Sequence, residues 1–341
     1  MHKTVKIEDA VGLVLAHDIT EIRKGEFKGT AFKKGHRIQA ADVCHLQRLG
    51  KRNIYVLDKK EGYLHEDDAA MAMADAFCGS GMTWHGTPKE GKLKLRAAQD
   101  GLFNVDVEAL TRVNMLGDVI CASMHTNKVV SKGAIVAATR AIPLMVETAV
   151  VDNAVGISNA VGGLFKVKPL RKANAGLIIT GNEVFTRLIE DQFKPILRKK
   201  ITELGSLVAD VVFALDDSVT IEKEIVRFLS SGVDLILTTG GMSVDPDDVT
   251  RNGIQQAGGE ILFYGAPVLP GAMFMVAYIK DIPVLGIPAC GLYHETTILD
   301  LVLPRILAGE RIGRAEIARM GHGGLCLNCE QCRYPVCPFG K

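Results

Sequence analysis

Two short apolar runs, each closed by a glycine turn with acidic residues just beyond, constrain this chain more than any other feature. The first, Gly176–Thr180, leads into Gly181-Asn182-Glu183. The second, Asp234–Thr238, leads into Thr239-Gly240-Gly241-Met242-Ser243, and Asp245, Asp247 and Asp248 follow. Runs of this length bounded by turn residues read as buried strands. In an open α/β sheet, ligands bind outside the carboxyl ends of the strands. Bare backbone N–H groups there suit a phosphate, and carboxylates suit a hard cation such as Mg²⁺.

Strands and helices alternate through residues 174–309. Strands are expected at Gly176–Thr180, Leu207–Leu215, Leu235–Thr239, Ile261–Tyr264, Met275–Ile279 and Val284–Gly286. Helices are expected near Asp191–Leu204, Ile221–Ser230, Asp248–Gln256 and Tyr293–Leu307. This alternation predicts an α/β fold: a three-layer, doubly wound, mostly parallel sheet with helices on both faces. A smaller β-rich α+β region precedes it. The expected divisions are an N-terminal segment over 1–59, a small β-rich domain over 60–168, the α/β domain over 169–310 and a cysteine-rich tail over 311–341. Within the earlier part, helical spacing marks Ala40–Leu49, Ala69–Phe77 and Val107–Asn114, and Asn53–Leu57 reads as a strand.

Composition narrows the partner classes. A formal net charge of +1 over 341 residues gives no argument for nucleic acid. No apolar run reaches the roughly 18–20 residues that span a bilayer. The charged start, Met1-His2-Lys3-Thr4-Val5-Lys6, lacks the apolar core of a signal peptide, so a cytoplasmic location is expected. Cys44, Cys78, Cys121 and Cys290 are scattered and read as reduced thiols.

Each site residue also has a plainer reading. Gly240-Gly241 permits positive φ and close approach of a ligand, yet an ordinary strand-to-helix turn needs the same freedom. Asp248 suits a helix N-cap, although three aspartates exceed what one cap requires. Asp216 and Asp217 end another strand, where an Asx turn is the simple alternative. Glu183 alone would be a solvated loop carboxylate. His294 belongs to the surface or a pocket rim.

Residues 174–309 resemble the molybdopterin-binding domain of molybdenum cofactor biosynthesis, found in MoeA-like and MogA-like proteins. The family's Thr-Gly-Asp-Glu stands here as Thr180-Gly181-Asn182-Glu183, and its acidic strand end as Leu215-Asp216-Asp217. Its Gly-Gly-x-Ser-x-x-x-x-Asp signature stands as Gly240 through Asp248, with Ser243 in place. Its later Pro-Gly is Pro270-Gly271, and its Gly-x-Pro is Gly286-Ile287-Pro288. The opening Ile7–Asp18 and the Phe32–Ile38 segment are similar to the MoeA-like N-terminus. Departures accompany the match. The lid motif Asn-Ser-Ala-Met-Asp-Gly-Tyr-Ala is missing, Ala272 stands where a lysine follows Pro-Gly, and Pro-Gly-Asn-Pro is replaced by Pro288-Ala289-Cys290-Gly291.

What the resemblance implies is a ligand, molybdopterin or adenylyl-molybdopterin, with Mg²⁺ beside it. Thr180, Gly181, Thr239, Gly240, Gly241, Ser243, Pro270, Gly271 and Pro288 would bind it, and Glu183, Asp217 and Asp248 would hold metal or oxyanion. An enzyme that inserts molybdate is one implied activity, a molybdopterin molybdenumtransferase. The alternative is a non-catalytic carrier or sensor of molybdopterin. A homo-oligomer and a molybdoenzyme partner are both open.

Four more cysteines crowd into the tail as Cys326-x₂-Cys329-x₂-Cys332-x₄-Cys337-Pro338. This is close to the bacterial ferredoxin run, and it suits one [4Fe–4S] cluster or one Zn²⁺. A flexible reduced peptide is the plain alternative. Because the α/β pattern closes before Gly309, removal of the tail from Gly321 is expected to leave that domain intact.

Overall fold

The computed structural model describes residues 3–23, 27–56, 61–181, 185–186, 190–241 and 249–341. The chain divides into two compact units. One comprises 100–102, 125–129 and 168–341; the other holds the rest of residues 1–167.

The larger unit is built on a six-stranded sheet. Its elements are β1 (Asn174–Thr180), α1 (Phe193–Glu203), β2 (Leu207–Ala214), α2 (Ser218–Ser230), β3 (Leu235–Thr239), α3 (Thr250–Gln256), β4 (Glu260–Tyr264), β5 (Met275–Ile279), β6 (Ile282–Ile287), α4 (Ile298–Leu307) and α5 (Arg314–Arg319). The strand order is β2-β1-β3-β6-β5-β4. β2, β1, β3 and β6 run parallel, while β5 and β4 are antiparallel to their neighbours.

Alternation of side chains divides the central strands between two cores. Leu177, Leu235, Leu237 and Leu285 pack with Leu197 and Ile201 of α1 and with Ile298 and Val302 of α4. Ile178, Ile236 and Val284 face the other way, against Ile221, Ile225 and Phe228 of α2 and Ile254 of α3. Strands buried on both faces read as unbroken apolar runs, which is why β1 and β3 carry no polar alternation.

Helix starts follow local chemistry. Asp217 caps α2, its carboxylate accepting from the Thr220 backbone N–H at 2.9 Å. α4 starts at Ile298, five residues later than the apolar pattern suggests. Thr297 and Asp300 form a reciprocal capping box there, and Ala289–Leu292 forms a separate 3₁₀ turn.

The sheet is complete before Gly309, and the tail packs back onto the same unit. Phe339 is 2% exposed and sits in the same core as α1 and α4. Leu269 donates its backbone N–H to the Gly324 carbonyl at 2.8 Å, and Cys326 donates to the Leu269 carbonyl at 2.8 Å. The Tyr334 hydroxyl donates to the Asp300 carbonyl at 3.3 Å. No feature of the cysteine spacing announces these contacts, since they join residues more than 30 positions apart.

In the smaller unit, Lys3–Lys6 pairs antiparallel with Asn53–Val56, and Ile19–Arg23 pairs with Phe27–Phe32. Ile7, Leu15, Ile38, Leu46 and Ile54 form their core. The helix Glu66–Phe77 packs on Lys92–Ala97 and Ile135–Ala141. A helix at Thr148–Ala160 lacks a sequence counterpart, because valines, an isoleucine and Gly156 dilute its helical signal. Among the described residues, no helix is long and apolar enough to cross a membrane.

Phe339→Ala should destabilise the protein by about 3–5 kcal/mol, read from the urea midpoint, because it empties a filled core site. An unchanged midpoint would mean the tail is not part of that core.

Glu66 gives a pH prediction. Burial is the larger cause and Asp67 the next in raising its carboxyl to about 6. Its folded pKa lies above the ordinary value, so the folded state holds the proton more tightly. Stability should therefore fall as pH rises from 4.5 to about 6. Glu66→Gln should remove that slope and gain about 2 kcal/mol at neutral pH, measured by urea titration across pH.

Candidate functional site

Register brings the strand ends together. Ile179 lies opposite Thr239 in the β1–β3 pair, and Thr239 lies opposite Ile287 in the β3–β6 pair. The chain leaves β1 toward β2 on one side and β3 toward β6 on the other, so Gly181 and Gly240 flank the switch point of the sheet.

The turn after β3 requires its glycines. Gly240 has φ +75° and Gly241 has φ +56°. A Cβ on Gly240 would lie 2.5 Å from Thr180 Oγ1, and one on Gly241 would lie 2.4 Å from Thr250 Oγ1. Both hydroxyls are in use. Thr180 Oγ1 donates to the Thr239 carbonyl at 2.6 Å, and Thr250 Oγ1 donates to the Gly240 carbonyl at 3.0 Å. The turn is thus clamped from β1 on one side and from α3 on the other.

This turn opens into a cavity of about 600 Å³, within the size range of small-molecule sites. Gly240, Gly241, Pro270, Gly271 and Pro288 line it, so five of the expected binding residues converge. Thr180 and Thr239 are buried behind the turn and support it rather than line the cavity. Gly181, at φ +142°, is buried beside them. Asp217 is not in the lining. Its Oδ2 accepts from both the backbone and the hydroxyl of Thr220, and these bonds hold its carboxyl below the ordinary carboxylate value. Glu183, Ser243 and Asp248 lie outside the described residues.

Other lining residues lie outside the expected binding set. Leu325, Cys326 and Asn328 arrive from the tail through its pairing with Leu269, and Cys290 and His294 come from the segment before α4. Burial raises the Cys290 thiol above its ordinary pKa, which favours the neutral form.

A second cavity, about 270 Å³, adjoins the first. Cys326, Cys329, Cys332 and Cys337 all line it. Thr296 Oγ1 lies 3.3 Å from Cys332 Sγ. The four cysteines are free, and among the described residues no three His, Cys, Asp or Glu side chains stand together as a metal-holding group. The two cavities share His294, Cys326 and Asn328.

Comparison with known proteins matches two stretches of this chain to family models. Residues 176–308 match the "Probable molybdopterin binding domain". Residues 4–58 match a separate domain of unknown function, DUF8806. A CinA-like protein of Mycolicibacterium vanbaalenii is 37% identical over 97 residues, covering 28% of this chain and 23% of that protein. A CinA-like protein of a Mycobacterium species (strain JLS) is 40% identical over 79 residues, 23% of this chain and 18% of that one. The chain thus spans about a quarter or less of the length of these curated relatives. The molybdopterin biosynthesis enzyme MoaB from Thermus thermophilus aligns at TM-score 0.33 and 19% identity, over 40% of this chain and 98% of that one. The cavity over Gly240-Gly241 therefore lies within or beside the stretch that matches the molybdopterin-binding model.

Thr180→Val keeps the side-chain shape and removes the donor to Thr239. The expected cost is about 1–3 kcal/mol in urea unfolding. A variant as stable as the parent would show that the clamp does not hold the turn.

Proposed function

We propose that residues 176–308 bind molybdopterin or adenylyl-molybdopterin in the cavity over Gly240-Gly241. One observation carries the reading. A side-chain-free turn at the switch point of the sheet opens on a cavity of about 600 Å³, in a segment that matches the molybdopterin-binding model. Exposed backbone at such a turn suits a phosphate. The Pro270, Ile287, Pro288 and Leu325 walls suit the flat face of a pterin, and His294 and Asn328 offer polar groups to its edge.

The proposal extends to Ser243 on the phosphate and to Mg²⁺ beside it, held by Glu183, Asp248 and Asp217. Asp217 is weaker in that role because its Oδ2 already serves the cap of α2. This supports a binding module, carrier or sensor, over an enzyme that inserts molybdate. Insertion is the second reading, and the Asp245, Asp247 and Asp248 run favours it. In that case Mg²⁺ would neutralise the phosphate charge while these carboxylates hold it. The tail completes the proposal: Cys326, Cys329, Cys332 and Cys337 hold one metal centre, [4Fe–4S] or Zn²⁺, in the cavity that all four line.

The test is equilibrium dialysis of molybdopterin against the full chain under anaerobic conditions. The pterin is quantified by fluorescence after oxidation. The parent should bind. Ala289→Phe, which adds bulk at the cavity wall, and Gly241→Val should each weaken binding at least about tenfold, or about 1.4 kcal/mol. Asp248→Asn should lose only the Mg²⁺-dependent part. Equal binding by a folded Ala289→Phe variant would remove this cavity as the site. Turnover of adenylyl-molybdopterin with molybdate would select insertion over carriage.

A further inference from the structure

The segment Leu325–Asn328 serves two cavities. Cys326 and Asn328, with His294, line both the cavity over Gly240-Gly241 and the cavity of the four cysteines. We propose that the two are linked binding sites: a metal–thiolate centre at the cysteines shapes the wall of the pterin cavity, so that metal and pterin each strengthen the other's binding. This rests on the pterin and metal readings above and adds the coupling between them.

The connection is mechanical. Cys326 donates its N–H to the Leu269 carbonyl at 2.8 Å, and Leu269 donates to Gly324 at 2.8 Å. Leu269 and the adjoining Pro270 are themselves walls of the pterin cavity. A shift of Cys326 therefore moves both sides of that wall.

On this proposal loading produces such a shift. The four thiols line one space. A shared metal would bind by drawing them around it, each ligating thiol releasing its proton to solvent. The far end of the tail is anchored, since Phe339 is buried and the Tyr334 hydroxyl is bonded to Asp300. Cys337 lies between these anchors. Cys329 and Cys332 are exposed, so closure pulls the 326–332 segment toward Cys337.

Charge supports an anionic occupant at that anchored end. Lys128 is only 5% exposed. Its Nζ lies 3.4 Å from the carbonyls of Phe339 and Gly340, and 5.1 Å from the centroid of the Tyr334 ring. Among the described residues it makes no ion pair with a carboxylate. A buried ammonium calls for a negative partner. Four thiolates outweigh a divalent zinc or the dicationic core of a [4Fe–4S] cluster, so either centre supplies one.

The experiment uses the full chain in three anaerobic preparations: stripped by chelator and reductant, loaded with zinc, and reconstituted with iron and sulfide. Molybdopterin affinity is measured for each by dialysis. A loaded form should bind about tenfold more tightly than the stripped one, a coupling in the usual range. Reciprocally, molybdopterin should slow loss of the metal to chelator. Cys329→Ser removes a thiol outside the pterin cavity, so it should lose metal and match the stripped affinity. Lys128→Met should lower metal occupancy while leaving the stripped affinity unchanged. Metal and pterin both bound, with equal pterin affinity in all preparations, would overturn the coupling alone. No metal in any preparation would overturn the coupling and the metal reading, with pterin binding intact. Metal bound but no pterin binding in any form would overturn the pterin reading and the coupling with it.

Discussion

The candidate site depends on a backbone turn that no side chain could enter. Gly240 and Gly241 adopt positive φ in succession, and threonine hydroxyls from β1 and α3 close on both positions. Those hydroxyls also hold the carbonyls of Thr239 and Gly240. The same contacts that forbid a Cβ therefore fix the turn. Parallel register then carries this local geometry outward, placing the end of β3 beside those of β1 and β6. A loop without that frame would keep its glycines and lose its shape.

The tail is the second element on which the site depends. A cysteine-rich peptide at a chain end is ordinarily read as an appendage, yet here it contributes Phe339 to a core and Leu325, Cys326 and Asn328 to a cavity wall. Aromatic packing and backbone pairing hold it against the domain.

Much of the α/β unit was legible in sequence because its signals are local. The strands β1, β3 and β5 follow from unbroken apolar runs, and α2 is bounded by the Asp217 cap. The Gly240-Gly241 turn announces itself by composition. Other features were not legible because they are made by tertiary contacts. Leu269 meets Leu325 across the fold, and nothing in either segment signals the partner. His294 becomes a wall of two cavities only after the chain stops short of the helix that its apolar spacing suggests. Thr297 sets that boundary by capping with Asp300, a competition between local hydrogen bonding and periodicity.

Asp217 shows how a residue that satisfies a motif can also carry a structural duty. Its position after β2 fits a metal-holding carboxylate, but its Oδ2 accepts two bonds from Thr220 at 2.7 and 2.9 Å. Recruiting it to a cation would weaken those bonds and expose the first turn of α2. The Gly240-Gly241 turn carries no such competing duty, for its bonds use carbonyls on the side of the threonines. Ligand binding at the turn and metal chemistry at the carboxylates are therefore separable demands on this sheet edge. The cavity walls belong with the first demand. A sheet edge that keeps the turn and walls while one carboxylate serves a helix cap fits the proposed ligand binding better than the proposed metal chemistry.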